Sequence, residues 1–172
     1  MNVKAWMAVI ALACGSTLSI PDAIAEGTPH EKTVSLVAGY VSHNNSAIAG
    51  IDFSYRFSRR FRLAPQALYA FRHHKQDALI INVNAQVPFD LGKQWEIYPL
   101  AGINYTSWNF HANKIATDNA DVTSRVNRFG LNVGAGAGVN ISSTLRLGIE
   151  GQWALVKDYQ SANILAKIAY IF

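Results

Sequence analysis

The chain has 172 residues, half of them apolar, with 15 basic and 11 acidic side chains and a single cysteine. That length suits one domain, the apolar share excludes a disordered chain, and the charged fraction of 15% falls short of the quarter usual in soluble proteins. Past the N-terminal leader no run of about 18 consecutive apolar residues occurs, which excludes a helical membrane span, and a net charge of +4 gives no argument for a nucleic-acid partner.

Met1 to Lys4 form a short positive region, Ala5 to Ala13 an apolar core, and Ala23-Ile24-Ala25 place small residues where a signal peptidase reads them. The expectation is a signal peptide over residues 1–25, cleaved before Glu26, leaving residues 26–172 as one domain. The apolar run is too short for a membrane anchor. Lipoprotein processing at Cys14 is disfavoured because Ala11-Leu12-Ala13 puts the large side chain one place too late. Loss of the leader removes the only cysteine, so no disulfide, thiol nucleophile or thiolate metal site is expected.

The remaining residues alternate. From Ala47 to Phe57 every odd position is apolar or aromatic, and the even ones are mostly Gly, Asp, Ser and Arg, Ile48 excepted. The same phase holds in Phe61, Leu63, Ala67, Tyr69 and Phe71, in Leu79 to Phe89, and in Phe129 to Ile141 against Gly130, Gly134, Gly136 and Gly138. A period of two means strands with one apolar and one polar face. Eight runs result, at about 33–42, 46–57, 60–72, 77–89, 94–108, 127–141, 144–156 and 161–172. Ser58-Arg59, Asp90-Leu91-Gly92-Lys93 and Ser142-Ser143 read as tight turns. The connectors at His43, at His73 and at Lys157, with the long segment Asn109 to Val126, read as loops at the opposite end. Short turns at one end and longer loops at the other predict an all-β, closed, antiparallel, up-and-down transmembrane barrel of eight strands.

Alternation leaves open which face points inward, so a soluble lipocalin-like barrel is the alternative. Eight strands enclose a space only just wide enough for side chains, and the bulky apolar set overfills it. The apolar face is therefore placed toward lipid. Its aromatics gather at both ends: Phe57, Phe61, Phe89, Trp95 and Phe172 near the turns, and Phe71, Tyr105 and Trp153 near the loops, as two interfacial belts. Pro65, Pro88 and Pro99 fall close to the turns, with local kinks expected at Pro65 and Pro99.

With these features, the glycine-alternating segment Phe129-Gly130-Leu131-Asn132-Val133-Gly134-Ala135-Gly136-Ala137-Gly138-Val139, and the closing Ala166-Lys167-Ile168-Ala169-Tyr170-Ile171-Phe172, the chain resembles the small eight-stranded outer-membrane barrels of the opacity-protein and OmpA/OmpX-like type. The resemblance implies residence in the cell outer membrane of a Gram-negative cell. It also implies contact with outer-membrane lipids and lipopolysaccharide, and an insertion signal at Tyr170 and Phe172 read by the barrel-insertion machinery.

The inward phase carries Asp52, Arg56, Arg62, Glu96, Arg146, Glu150 and Lys167, with Glu150 and Lys167 on neighbouring strands at similar depth. These charges suit either a water-lined ion path or an internal salt-bridge plug, and the narrow lumen favours the plug. His43, His73, His74 and His111 map to the loop end, but no carboxylate or cysteine completes a metal-ligand spacing, and no cofactor is expected. Ser42-His43 and Ser161 are the only material for a lipid-modifying enzyme, and adjacent strand residues face apart. Gly134, Gly136 and Gly138 do not form a nucleotide loop, since Val139 stands where the third glycine belongs. Lys75, Lys114, Arg125, Arg128 and Lys157 lie at the loop end, where anionic lipopolysaccharide would attract them. The reading is a monomeric, non-enzymatic barrel with a structural or adhesive role, its loop Asn109 to Val126 presenting a surface to an extracellular protein or host ligand. A narrow porin-like passive channel is the alternative, and an outer-leaflet lipid-modifying enzyme the third.

Overall fold

The computed structural model describes residues 29–43, 45–73, 75–92, 94–111, 123–156 and 160–172; the expected leader over residues 1–25 lies outside them. Nine strand segments follow one another: β1 Lys32–Val41, β2 Ser46–Ser58, β3 Phe61–His73, β4 Gln76–Gln86, β5 Phe89–Leu91, β6 Trp95–His111, β7 Thr123–Asn140, β8 Leu145–Val156 and β9 Ser161–Ile171. β4 and β5 both pair with β6 and are two parts of one stave, so the barrel has eight. Every neighbour is antiparallel and sequential, and β1 closes the cylinder by pairing with β9.

The register sets the barrel's dimensions. Following partners from Val139 through Leu147, Ile168, Leu36, Ile51, Ala67, Ile81 and Tyr105 returns to β7 at Phe129, ten residues from the start. A shear of that size over eight strands gives a tilt of about 40° and a radius of about 8 Å. All nine residues on this path carry apolar or aromatic side chains toward the outside, as the period of two requires.

The strands differ from expectation in three places. β6 and β7 pair as far as His111 with Thr123, so both ends of the expected Asn109–Val126 loop are hairpin and only residues 112–122 remain as its connection. Cross-strand matching accounts for this: Asn109 sits opposite Arg125 and accepts its Nε–H at 3.0 Å. The loop-end connectors at His43 and His73 are short, His73 pairing with Gln76 across a two-residue turn with Lys75 at φ 63°. The asymmetry between the two ends therefore rests on the β6–β7 connection. Last, the prolines interrupt hydrogen bonding without shifting register. No partner pair joins Phe53 to Pro65, yet pairing resumes in phase at Tyr55 and Leu63. Pro99 lies opposite the Val87–Pro88 break between β4 and β5, and Phe89 resumes the same register with Ile97. Each proline lacks only an N–H, so the ladder loses a bond and keeps its count. The register shifts fall elsewhere, between Arg56 and Ser58 and between Ala70 and His73.

Candidate functional site

The lumen is built from the inward-facing residues of all eight staves. Toward the turn end they are ionic. Arg56 reaches Asp90 at 3.0 Å and also pairs with Glu96. Arg62 meets the same Glu96 carboxylate at 2.7 Å, and Arg146 lies 3.8 Å from it while gripping Glu31 with both terminal nitrogens at 2.9 and 3.2 Å. One layer deeper, Lys167 bridges Asp52 at 3.2 Å and Glu150 at 2.8 Å. Tyr98 links the layers: its hydroxyl donates to Glu150 at 2.9 Å, and the Arg62 guanidinium lies 4.6 Å over its ring. The ring occupies the space where a side chain at Gly136 would begin, which is why glycine stands opposite it on β7.

All seven charged residues expected in the lumen are buried there. Glu31 and Asp90 join them from outside the alternating runs: Glu31 precedes β1 and Asp90 sits beside a turn closed by Gly92 at φ 71°. Four cations thus face five carboxylates, and pairing of this kind is what makes charges tolerable away from water. Between the layers lies a cavity of about 30 Å³ bounded by Ser35, Asp52, Arg62, Tyr98, Arg146 and Lys167, room for about one or two waters.

The loop half of the lumen is different. Gln152 donates to Glu150 and to Gln66, Asn82 donates to Gln66, Asn104 to Asn82 and Thr106 to Asn104, forming an amide ladder that climbs one wall. Against it stands an apolar cluster of Val37, Val41, Ile48, Leu68, Ile80 and Leu165, capped by Trp108 at 2% exposure. The sequence reads the inward face as rich in glycine with a few charges; its loop half carries these large apolar side chains as well. Ile48, the one exception noted in its run, belongs to this cluster. The physical reason is close packing: the interior of a closed barrel must be filled, and side chains from β1 to β4, β6 and β9 meet in its loop half.

The outer face carries the eight expected belt residues. Phe57, Phe61, Trp95, Phe172 and Phe71 are exposed, and Phe89, Tyr105 and Trp153 half-buried among neighbours. Phe57 packs against Phe61 at 5.8 Å between centroids, Tyr105 against Phe129 at 4.9 Å, and Tyr170 against Phe172 at 6.3 Å. At the loop end, Tyr69 and Asn109 both donate to Asp77, at 3.1 and 3.0 Å, tying β3, β4 and β6 together. The His43 ring rests 5.0 Å from Trp108, and Ser42 accepts the Ala162 N–H at 2.8 Å. Among the described residues no group of three or more His, Cys, Asp or Glu side chains is placed to hold a metal; His74, Lys114 and Lys157 lie outside them.

A closed antiparallel barrel, apolar outside and ionic within, is the architecture of a protein that crosses a membrane with strands. The chain belongs to the outer membrane protein beta-barrel domain family, whose model matches residues 10–172, and it resides in the cell outer membrane. Its fold is similar to the N-terminal β-barrel domain of Pseudomonas aeruginosa OprF, with a TM-score of 0.66 at 14% identity over 84% of this chain and 98% of that one. It is also similar to Neisserial surface protein A (TM-score 0.65, 16% identity, 86% and 100% covered) and to Ail, the attachment invasion locus protein of Yersinia pestis (0.63, 14%, 84% and 100%). Ail has been solved in complex with the heparin analogue sucrose octasulfate as well. No curated protein is significantly similar in sequence.

Proposed function

We propose that this protein is a non-catalytic surface protein, in which a sealed barrel holds the β6–β7 hairpin and its connecting loop outside the cell to bind an extracellular protein or host ligand. The observation that carries this reading is the filled lumen beneath a projecting hairpin. Ion-paired layers, an amide ladder and a Trp108 cap occupy the barrel centre, while β7 runs on from Gly130, its last partner with Val156 of β8, to Thr123. After allowance for strand tilt, the hairpin tip stands on the order of 10 Å above the neighbouring turns.

The remaining features fit the same role. The aromatic rings at both ends anchor the barrel at the two lipid interfaces. Arg72, Lys75, Arg125 and Arg128 lie above Tyr69, Phe71, Tyr105 and Phe129, a cationic rim over an aromatic one, suited to the phosphates of lipopolysaccharide. The attachment named for Ail, and its complex with a sulfated heparin analogue, make a ligand at this end a natural expectation. Residues 1–25 serve as the export leader, Tyr170 and Phe172 as the contact for the insertion machinery, and the barrel acts as a monomer.

The test is binding of whole cells to host surfaces with the full chain and with residues 112–122 replaced by a two-residue turn. Loss of binding with unchanged heat-modifiable mobility on gels is the expected result; unchanged binding rejects the proposal.

A further inference from the structure

The turn end of the barrel sorts its charges by sign. Every described carboxylate side chain there turns into the lumen: Glu31 to Arg146, Asp90 to Arg56, and Glu96 among three arginines. The side chains left on the outside are positive. Lys32 at the start of β1 is exposed, as are Arg59 and Arg60 in the turn between β2 and β3. Across the rim, the exposed residues Leu91, Gln94, Trp95, Ile141, Ser142 and Ser143 carry no charge. Among the described residues, the outward positive charge of this end therefore lies in one sector.

The direction in which these cations point fixes what reaches them. Thr33 is buried against the lumen cavity and Val34 is exposed, so alternation sends Lys32 outward onto the membrane-facing wall. It stands there between Tyr55, its partner on β2, and Phe172, whose N–H donates to the Lys32 carbonyl at 3.0 Å. Tyr55 meets Phe57 edge-on at 4.6 Å and Phe57 meets Phe61, so an aromatic ledge runs from Lys32 toward the two arginines. Such rings mark the depth of the lipid head groups, and short turns face the periplasm. Arg59 lies four residues beyond Tyr55, about 10 Å nearer the periplasm after allowance for tilt. The lysine stem extends toward that side and the guanidinium groups reach back, so the three charges meet in the phosphate layer. A molecule approaching from the periplasm meets the arginines; one lying in the bilayer reaches all three.

We infer that Lys32, Arg59 and Arg60 form a binding site for the phosphate head group of an anionic phospholipid in the periplasmic leaflet. The site is distinct from the loop-end rim and does not depend on the surface role proposed above. Phosphate oxygens accept hydrogen bonds from both guanidinium groups and the ammonium group, while an acyl chain lies along the exposed side chains of Val34, Leu36 and Phe53. A zwitterionic head group would bring its own ammonium among three cations, which selects for the anionic class.

The test uses the full chain in nanodiscs holding equal amounts of phosphatidylglycerol and phosphatidylcholine, with the lipids that stay bound weighed by native mass spectrometry. Retention of phosphatidylglycerol over phosphatidylcholine by about fivefold or more is the expected result. Lys32→Gln alone should lower that preference, and Lys32→Gln with Arg59→Gln and Arg60→Gln should bring it close to parity. All three positions are exposed, so heat-modifiable mobility should be kept. Arg125→Gln with Arg128→Gln, at the other end, should leave most of the preference in place. Equal retention of the two lipids by the unaltered chain overturns the inference, as does a preference that survives the triple variant. Loss confined to the loop-end variant also overturns it, because the bound lipid would then sit in the other leaflet. A Lys32→Gln chain that behaves as the unaltered one, while the arginine changes reduce sedimentation with purified peptidoglycan, would replace the lipid by a cell-wall partner.

Discussion

Lys167 sits between two buried carboxylates, Asp52 and Glu150, and is the only cation in direct contact with either among the described residues. Lys167→Met should therefore destabilise the folded barrel by about 3 to 5 kcal/mol, since it leaves buried charge uncompensated. Urea unfolding from lipid bilayers measures this, and adding Glu150→Gln to the variant should recover part of the loss. Gly136 makes a second test. Any side chain there displaces the Tyr98 ring, and with it the bond to Glu150 and the stacked Arg62. Gly136→Val should cost about 1 to 3 kcal/mol in the same titration, and Tyr98→Leu should relieve the crowding it causes. The partnership of Glu150 and Lys167 was readable because both lie on the inward phase of consecutive strands. Glu31 and Asp90 were not readable, since neither falls within an alternating run and only the closed mouth brings them to Arg146 and Arg56.

Strand identity was legible almost throughout, because a period of two along ten or so residues is a strong local signal. The ends were not. Asn109, Phe110, Ser124 and Arg125 lack apolar alternation and read as loop, yet they pair because each strand supplies the other's ladder. Proline gives an element-scale prediction. Arg56 donates its N–H toward β1, so Phe53, three residues before it, turns its carbonyl toward β3, where Pro65 offers no N–H. Pro65→Val should add that bond and raise the unfolding midpoint, a gain of about 0.5 to 1.5 kcal/mol. An unchanged or lowered midpoint would mean the strand has adapted to its proline.

For the molecule as a whole, a lumen filled by paired charges, amides and an apolar cap should not pass ions. Planar bilayers holding the purified protein should show no steady single-channel steps; steps that change with substitution at Glu150 would support the passive-channel alternative. Trp108→Ala should leave bilayers silent as well, because the amide ladder and both ionic layers lie beneath it. Steps appearing in that variant would identify Trp108 as the sole barrier.

Composition and periodicity by themselves determined the eight staves, the outward apolar face and the identity of the inward charges, all from rules that act over a few neighbouring residues. The closed barrel decided the rest. Which charges meet depends on a ten-residue shear and on partners as far as 115 positions apart, as Lys167 and Asp52 are. The apolar cap and the projecting β6–β7 hairpin likewise arise from register between strands, because only closure brings opposite walls together and only the stagger leaves one hairpin standing above the others.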